Sequence, residues 1–407
     1  MRRALSPPPL IGQADTRGWG TNLGDKLLYF VPDYKPVENA ASIRAFYHVE
    51  ALKREGFSVT VFTSKANPSA PAAKGKDRHV VRRSQSPSGM LRLKRRLLVE
   101  VKLALHFVLY LGRQRNAYQL VVISSPPFFS AVIASMFLTF LKLPYTIDVR
   151  DRYPQVLFSQ ELLRKRSPLG SFLKRLECWI YNRAACVSSV TPPLARQIQS
   201  DCGVNEVDVC LNGFDRDVSS SQSPVDGERT TVRIVSHGTF GRFFDESVFD
   251  QILSGLDERI PGQYEMILMG SGEKIRRYEG GRFKIIKNPD REMVKKVLGE
   301  SDIGLSCHTD DDSMRAAFPV KIFEFIGASI PSVVIPRSYG GREVERLGIG
   351  KCFDQKAVEE ACDFISELVE DEKFRREISG KVESLKYMFS REQGSRAFAK
   401  AVARAQK

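Results

Sequence analysis

The stretch KLLYFVPDYKPVENAASIRAFYHVEALKREGFSVTVFT, residues 26–63, decides the fold. It opens with an apolar run that ends at a proline, which is typical of a buried strand. Residues 43–55 then predict a helix closed by a glycine, and the apolar run at 57–63 predicts a second strand. Strand, loop, helix and strand form the βαβ opening of a parallel, doubly wound sheet. Because ligands of such sheets bind at loops after the carboxyl ends of strands, the loop at 33–42 is expected to border a cleft.

The same alternation continues along the chain and predicts two α/β domains. Four further strands of the first domain are predicted at 120–127, 145–154, 186–193 and 207–215. Residues 216–230 have the composition of a linker, and a second series of strands and helices follows them. We therefore predict a loose arm at 1–25, a first domain at 26–215 and a second domain at 231–407, whose last helix is able to pack back on the first. The two domains are expected to face each other across the cleft.

The charge of the chain is unevenly spread. Of a formal net charge of +14, residues 71–115 supply +10, with twelve lysines and arginines against two acidic residues. Such a segment predicts an anionic partner: nucleic acid, an acidic membrane surface or a phosphorylated substrate. Its part at 91–112 has the pattern of an amphipathic helix, which predicts docking on an anionic membrane surface. The alternative is that its leucines pack on the sheet. Nucleic acid is disfavoured, because the segment lacks a series of aromatic residues that could stack on bases.

Cysteine and histidine spacing bears on metal sites and on the compartment. The seven cysteines form no CxxC pair, and the five histidines show no HExxH or HxH spacing. We therefore expect a reducing compartment, no disulfide framework, no zinc site and no metal-dependent enzyme. Residues 1–25 lack the apolar core of a signal peptide, and the longest apolar run, 126–141, is shorter than the ~20 residues of a spanning helix. The expected location is cytoplasmic, peripheral on the cytoplasmic face of the inner membrane.

The stretch FPVKIFEFIGASIP, residues 318–331, holds two charges in a predicted buried helix. Pro319 suits the first helical position. Lys321 and Glu324 are three residues apart and therefore share one face. A cation in the first turn opposes the helix dipole, and an anion bound at that N-terminus would remove the conflict. Glu324 could then accept both hydroxyls of a ribose attached to the anion. The alternative is an internal Lys321–Glu324 pair on a core helix.

A second charged cluster follows the predicted strand at 145–154. Asp148, Arg150 and Asp151 come at its end, and such charges are costly to bury without partners. They form either a structural ion network or a reaction centre, and their position at a strand end favours the second. His48 and His237 are expected to be structural residues.

Nine motifs, in this order along the chain, resemble those of one enzyme family. They are VPDYKPVENAASIRAF (31–46), YQLVVISSPP (118–127), DVRDRYP (148–154), VTPPLARQI (190–198), VCLNGFD (209–215), HGTFGR (237–242), ILMGSGEK (267–274), DIGLSC (302–307) and FPVKIFEFIGA (318–328). The chain resembles the retaining glycosyltransferases of family 4, which have the GT-B fold of two Rossmann-like domains. The nearest likeness is to the branch that adds N-acetylated amino sugars, such as N-acetylfucosamine, to bacterial surface polysaccharides.

The resemblance implies an enzyme that uses a nucleotide sugar, usually a UDP-sugar, without a metal or other cofactor. The second domain would hold the donor, and the usual acceptor is a glycan on polyprenyl diphosphate. Arg242 and Lys321 would bind the diphosphate, and Glu324 the ribose. The remaining residues that the resemblance implies are Gly241, Gly270 and Gly272 beside the nucleotide, Asn39 and Ala40 in a loop over the sugar phosphate, and Asp151 as a proton acceptor near the sugar.

The sequence also departs from the family pattern. Many relatives have a glutamate eight residues before the ribose glutamate, where this chain has Ala316. Two glycines of the first loop are replaced by Ala40 and Ala41, and Asp245 and Glu246 stand near the position of a common lysine. These departures leave open a weak or inactive GT-B binding protein. A sugar-nucleotide epimerase shares the architecture, but it needs a different acid and base constellation, which the sequence does not display.

Overall fold

The computed structural model describes residues 25–34, 39–64, 78–81, 93–159, 163–215 and 231–406. The predicted arm, apart from Asp25, and the predicted linker at 216–230 lie outside the described residues, as do 65–77 and 82–92. Among the described residues, no helix combines the length and the apolar character needed to cross a membrane.

The first sheet has seven strands, which pair in parallel throughout. Their order across the sheet is β3-β2-β1-β4-β5-β6-β7. The reversal between β1 and β4 is the switch point of a doubly wound sheet. The strands are β1 Lys26–Phe30, β2 Ser58–Thr63, β3 Arg78–Val81, β4 Leu120–Ser125, β5 Tyr145–Val149, β6 Cys186–Ser189 and β7 Asp208–Val209.

The second sheet repeats this plan with six parallel strands in the order β10-β9-β8-β11-β12-β13. Its strands are β8 Val232–Thr239, β9 Tyr264–Ser271, β10 Lys284–Lys287, β11 Ile303–Cys307, β12 Ser332–Ile335 and β13 Gly350–Cys352. The switch point lies between β8 and β11, so the loops that follow these two strands border the natural ligand crevice.

Helices cover both faces of each sheet. Before the linker they are α1 Ala40–Arg54, α2 Leu93–Arg113, α3 Phe128–Phe140, α4 Gln155–Ser159, α5 Pro168–Asn182 and α6 Pro192–Cys202. After it they are α7 Glu246–Arg259, α8 Arg291–Gly299, α9 Asp312–Ala316, α10 Val320–Gly327, α11 Tyr339–Leu347, α12 Val358–Glu370, α13 Glu372–Leu385 and α14 Arg391–Ala405. On the first sheet, α1 and α14 share one apolar core, while α2, α3, α5 and α6 share the core of the opposite face.

The last helix crosses from the second domain to the first. Although α14 follows the second sheet, it packs against α1. The Phe398 ring stacks on His48 at 3.9 Å between centroids, and both side chains are fully buried. His48 Nδ1 also lies 3.1 Å from the Tyr29 hydroxyl on β1. His48 is therefore a packed core residue, in agreement with the expectation of a structural role.

Two sequence-based expectations are wrong. Cys178 on α5 and Cys202 at the end of α6 form a disulfide, with their Cα atoms 4.7 Å apart, whereas the sequence predicted a reducing compartment without a disulfide framework. The spacing of 24 residues between them includes a whole strand, so only the packing of α5 beside α6 brings them together. Pro319 is the N-cap of α10 with an extended ψ of 135°, and the helix begins one residue later than expected.

Candidate functional site

The centre of the candidate site is Lys321 in the first turn of α10, which lies against the end of β8. Its Cε lies 3.5 Å from the point that a Cβ on Gly238 would occupy, so the lysine side chain runs close beside the end of this strand. Gly238 also has a φ of +119°, which L side chains rarely adopt. Burial lowers the pKa of Lys321 to about 8. Among the described residues, no hydrogen bond or ion pair within 4 Å engages its ammonium group, so a bound anion would stabilise the protonated form.

Glu324 lies one turn further along α10 and is buried. Its Oε1 accepts from Arg291 Nη1 at 3.2 Å, and its Oε2 lies 3.2 Å from His237 Nε2. Burial lowers the pKa of His237, which favours the neutral imidazole. Glu324 therefore takes its close partners from β8 and α8. The carboxylate of Glu324 is therefore not part of an isolated pair with Lys321, which was the alternative prediction.

Arg291 links Glu324 to the crossing between the domains. Its guanidinium also binds Asp215, the last described residue before the linker. Asp215 Oδ1 in turn lies 2.6 Å from Nε of Arg391, the first residue of α14. Sequence reasoning did not identify Arg291 or Asp215 as site residues. Asp215 closes the VCLNGFD motif, which is a signal, whereas nothing around Arg291 marks it beyond the helix N-cap Asp290.

The three predicted site glycines lie at the ends of β8 and β9. A Cβ on Gly270 would lie 1.8 Å from the Gly238 carbonyl oxygen, and one on Gly272 would lie 2.3 Å from the Phe240 oxygen. Both positions therefore need glycine so that the two strand ends can approach each other. Gly241 has more room, with Thr239 Cγ2 at 3.5 Å. These glycines shape the backbone at the edge that Lys321 occupies.

Arg242 follows Gly241 in the loop between β8 and α7. Its side chain is exposed, and its guanidinium carbon lies 5.9 Å from the centroid of the Phe243 ring. Asp245, which the sequence analysis noted as a departure, is the N-cap of α7 and accepts from Val248 N at 3.1 Å. Arg242 thus lies at the same strand edge as Lys321, with its guanidinium accessible to a ligand.

The first domain contributes the loop before α1. Asn39 is the N-cap of α1: its Oδ1 accepts from Ser42 N at 2.9 Å, and its Nδ2 donates to Asp33 Oδ2 at 3.0 Å. Ala40, the first residue of the helix, is exposed. Asn39 therefore fixes the start of α1 relative to the end of β1, at the carboxyl edge of the first sheet. Residues 35–38 of this loop lie outside the described residues.

The cluster of Asp148, Arg150 and Asp151 separates into structural and exposed parts. Asp148 is fully buried and binds Arg44 Nη2 at 2.8 Å. Burial opposes its ionisation, but the Arg44 guanidinium holds the pKa of Asp148 well below its usual range. Arg150 Nη2 donates to the Pro126 carbonyl at 2.6 Å. The structural alternative is therefore correct for Asp148 and Arg150, and Asp151 alone presents an exposed carboxylate after β5.

The carboxyl edge of the first sheet meets the second domain at Thr191, which follows β6. Its hydroxyl donates to the Ala316 carbonyl oxygen at 3.1 Å. Ala316 ends α9 and stands where many family members have a glutamate. Its main chain makes an interdomain contact, so the two carboxyl edges face each other across this cleft.

Comparisons with known proteins agree with this architecture. Residues 41–218 match the sequence model of Glycosyltransferase Family 4. No curated protein matches the chain. Among solved structures, sucrose-phosphate synthase from Thermosynechococcus elongatus is similar, with a TM-score of 0.69 and 14% identity over 93% of this chain and 98% of that one.

Two further structures resemble the chain at similar distance. HepE from Anabaena, solved with UDP, has a TM-score of 0.66 and 15% identity over 93% of this chain and 100% of that one. WaaG, a glycosyltransferase involved in lipopolysaccharide biosynthesis, has a TM-score of 0.66 and 12% identity over 92% and 98%. Identities this low establish the fold alone. Residues 41–218 therefore resemble Glycosyltransferase Family 4, and the chain has the two-domain GT-B fold of the glycosyltransferase structures to which it is similar.

Proposed function

We propose that the protein is a retaining glycosyltransferase that moves a sugar from a UDP-sugar to a lipid-linked or polysaccharide acceptor during the synthesis of a surface glycan. Transfer of an N-acetylated amino sugar, such as N-acetylfucosamine, is the form that the sequence motifs favour. The UDP donor is supported by the similarity to HepE, whose structures contain UDP and UDP-glucose. The surface-glycan pathway is supported by the similarity to WaaG.

The observation that carries this proposal is the pair of cations beside a glycine-lined strand edge. Lys321 has a pKa lowered to about 8 by burial, and Arg242 lies in the loop of the same strand. A diphosphate bound between them would stabilise the protonated form of Lys321. Glu324, one turn further along α10, would accept the hydroxyls of the attached ribose.

The chemistry follows from charge that develops on the leaving group. As the bond from the sugar to the diphosphate breaks, negative charge grows on the phosphate oxygens, and the cations of Arg242 and Lys321 stabilise it. The acceptor hydroxyl attacks from the face that the diphosphate leaves. Its proton goes to the leaving phosphate or to Asp151. Ala316 excludes a carboxylate nucleophile at the position where many relatives have a glutamate.

We predict that these steps need no metal or other cofactor. We expect chelators to leave turnover unchanged, because the two side-chain cations replace the role of a divalent ion. A strict requirement for a divalent cation would contradict this part of the mechanism.

The test is UDP release from a panel of UDP-sugars, with an acceptor extract present and absent. We expect steady UDP formation in the parent and in Lys351→Met, which removes an exposed lysine of the second domain that packs on Phe353. Lys321→Met should lower turnover more than UDP affinity, because the lost cation acts most on the charge of the transition state. An altered sugar with UDP intact would instead indicate an epimerase. Binding without any turnover would indicate a non-catalytic protein.

A further inference from the structure

The outer surface of the first domain carries large apolar side chains on three neighbouring helices. Helices α2, α3 and α5 cover the same face of the first sheet, and α2 is tied to the first turn of α3 by the hydrogen bond from Phe129 N to Glu100 Oε2 at 2.9 Å. Phe140 is 81% exposed and Leu98 is 70% exposed. We call this outer surface the α2–α3–α5 face; its large apolar residues that are more than half exposed are Leu98, Leu105, Leu109, Met136, Phe140, Leu169 and Phe172.

On α2 the apolar residues alternate with cations along one line. Leu98, Leu105 and Leu109 recur at the spacing of a single helical face. The exposed cations on the same line are Arg95, Lys102 and Arg113. The opposite line of this helix, Leu103, Phe107 and Leu111, is buried against the sheet. The leucines of α2 therefore serve two purposes: one set packs on the sheet, and the other set faces solvent.

A second cationic and apolar group begins α5. Arg164, Lys165 and Arg166 form an exposed run directly before this helix. Leu169 and Phe172, in its first turns, are 56% and 55% exposed. The sequence alone does not mark this group, because the exposure of these two side chains depends on how α5 packs.

The acidic residues of these helices do not balance the cations. Among the described residues of α2, α3 and α5, the acidic ones are Glu100 and Glu177. Both are buried, and they pair with Arg96 and Arg152 respectively. The described outer surface of the three helices therefore presents apolar groups and positive charge, without an exposed carboxylate.

We propose that the α2–α3–α5 face docks on an anionic lipid bilayer. Exposed leucine and phenylalanine side chains would enter the boundary between headgroups and acyl chains, while the lysines and arginines would remain among the anionic headgroups. A protein partner would need acidic groups that match cations scattered over α2 and the start of α5, whereas a fluid anionic surface adapts to them. This inference extends the proposed function, because it states how a lipid-linked acceptor would meet the cleft.

Docking through the α2–α3–α5 face would also determine how the cleft is oriented relative to the membrane. Because α5 follows β5 in the chain, its first turns lie toward the carboxyl edge of the sheet, the edge that borders the cleft. The cations at 164–166 would therefore contact headgroups close to the cleft opening. The glycan of a polyprenyl-diphosphate acceptor would then reach the cleft while its lipid chain stays in the bilayer.

The experiment is flotation of the full chain with vesicles of phosphatidylcholine, with and without phosphatidylglycerol. One variant reverses charge (Arg164→Glu, Lys165→Glu, Arg166→Glu), and another removes apolar groups (Leu105→Ser, Phe140→Ser, Phe172→Ser). The control for charge is the triple variant Lys284→Glu, Lys296→Glu, Lys373→Glu. It reverses the same number of positive charges at exposed sites of the second domain. The control for apolar groups is Met293→Ser, Tyr387→Ser, also exposed there.

We expect the parent to bind the anionic vesicles and not the neutral ones at moderate salt. Each variant of the face should bind about tenfold or more weakly, and each control should bind like the parent. UDP affinity and the thermal midpoint should be the same in every protein, so a loss of vesicle binding is distinct from a failure of the donor site. The proposal is overturned if the parent does not bind anionic vesicles at low salt, if the controls weaken binding equally, or if the face mediates self-association instead.

Discussion

At the scale of single residues, the lowered pKa of Lys321 gives the site a definite pH dependence. The free protein loses the charge of Lys321 as the pH rises through about 8, because burial favours the neutral amine. A bound diphosphate favours the protonated amine and raises the pKa again, so binding above pH 8 requires proton uptake. UDP affinity should therefore be constant near pH 7 and fall by up to about tenfold per pH unit above 8.

Calorimetry of UDP binding from pH 7 to pH 9.5 measures this effect. Lys321→Arg is the matched control, because an arginine remains protonated over the whole range and should give a nearly flat profile. A parent profile as flat as that of the arginine variant would show that Lys321 does not contact the phosphates.

Glu324 makes a prediction about the sugar of the nucleotide. Glu324→Gln preserves the shape of the side chain, and Arg291 retains Asp215 as a partner. The change should weaken UDP binding by about 1.5–3 kcal/mol for each charged hydrogen bond that is lost. It should have much less effect on 2′,3′-dideoxy-UDP, which lacks the hydroxyls. Titration of both nucleotides measures the difference, and an equal loss for the two would assign Glu324 a purely structural role.

Residues of the site differ in how far the sequence could predict them. Lys321 and Glu324 could be singled out because a charge within an apolar helix is costly unless it has a partner or a ligand. Asp148 met the same criterion, but its partner Arg44 comes from a helix more than one hundred residues earlier. Arg291 escaped notice for the related reason that its contacts with Asp215 and Glu324 exist only in three dimensions.

At the scale of elements, the pairing of β8 with β9 makes Gly270 the least replaceable glycine of the site. It pairs with Gly238, has a φ of +155°, and a Cβ there would lie 1.8 Å from the Gly238 oxygen. Gly270→Ala should therefore lower the free energy of unfolding by about 3 kcal/mol or more.

Gly203 provides the control for this prediction. It ends α6 with a φ of +68°, and no atom lies within 4 Å of its added Cβ. Gly203→Ala should cost only about 1 kcal/mol from backbone strain. Urea unfolding measures both variants, and an equal cost would mean that the clash at Gly270 relaxes without breaking the strand pair.

The order and type of the elements followed from local patterns, because apolar runs and the glycines and prolines that end them are short-range features. The disulfide between Cys178 and Cys202 was missed, since it depends on how α5 and α6 pack. For α2, periodicity identified an amphipathic helix, but only the structure divides its leucines into a buried and an exposed set.

At the scale of the whole molecule, α14 makes the stability of the first domain depend on the C-terminal end of the chain. Phe398 is fully buried against His48 of α1. Phe398→Ala should destabilise the first domain by about 3–5 kcal/mol, because it leaves a cavity in a shared core. Phe140→Ala is the control, since its 81% exposed ring should contribute less than about 0.5 kcal/mol.

Tryptophan fluorescence during urea unfolding measures this effect in the first domain. Both tryptophans, Trp19 and Trp179, precede the linker, so the signal reports that part of the chain. A first-domain transition that does not change in Phe398→Ala would mean that α14 covers the sheet without stabilising it.

The two-domain plan was predictable because alternating strands and helices have few stable arrangements. The contact between Thr191 and Ala316, and the chain of charges through Asp215, were not. They join residues far apart in sequence, and only the relative position of the two sheets creates them.

The crossing of α14 has a consequence for how the protein is made. The strands of the first sheet are complete at residue 209, but α14, which covers one face of the sheet together with α1, spans residues 391–405. At ribosomal speed the apolar side of α1 and β1 stays open for roughly 10–40 s before the last helix emerges. A nascent chain in that interval presents a surface that chaperones bind, and a message truncated near its end would yield a chain that presents it permanently.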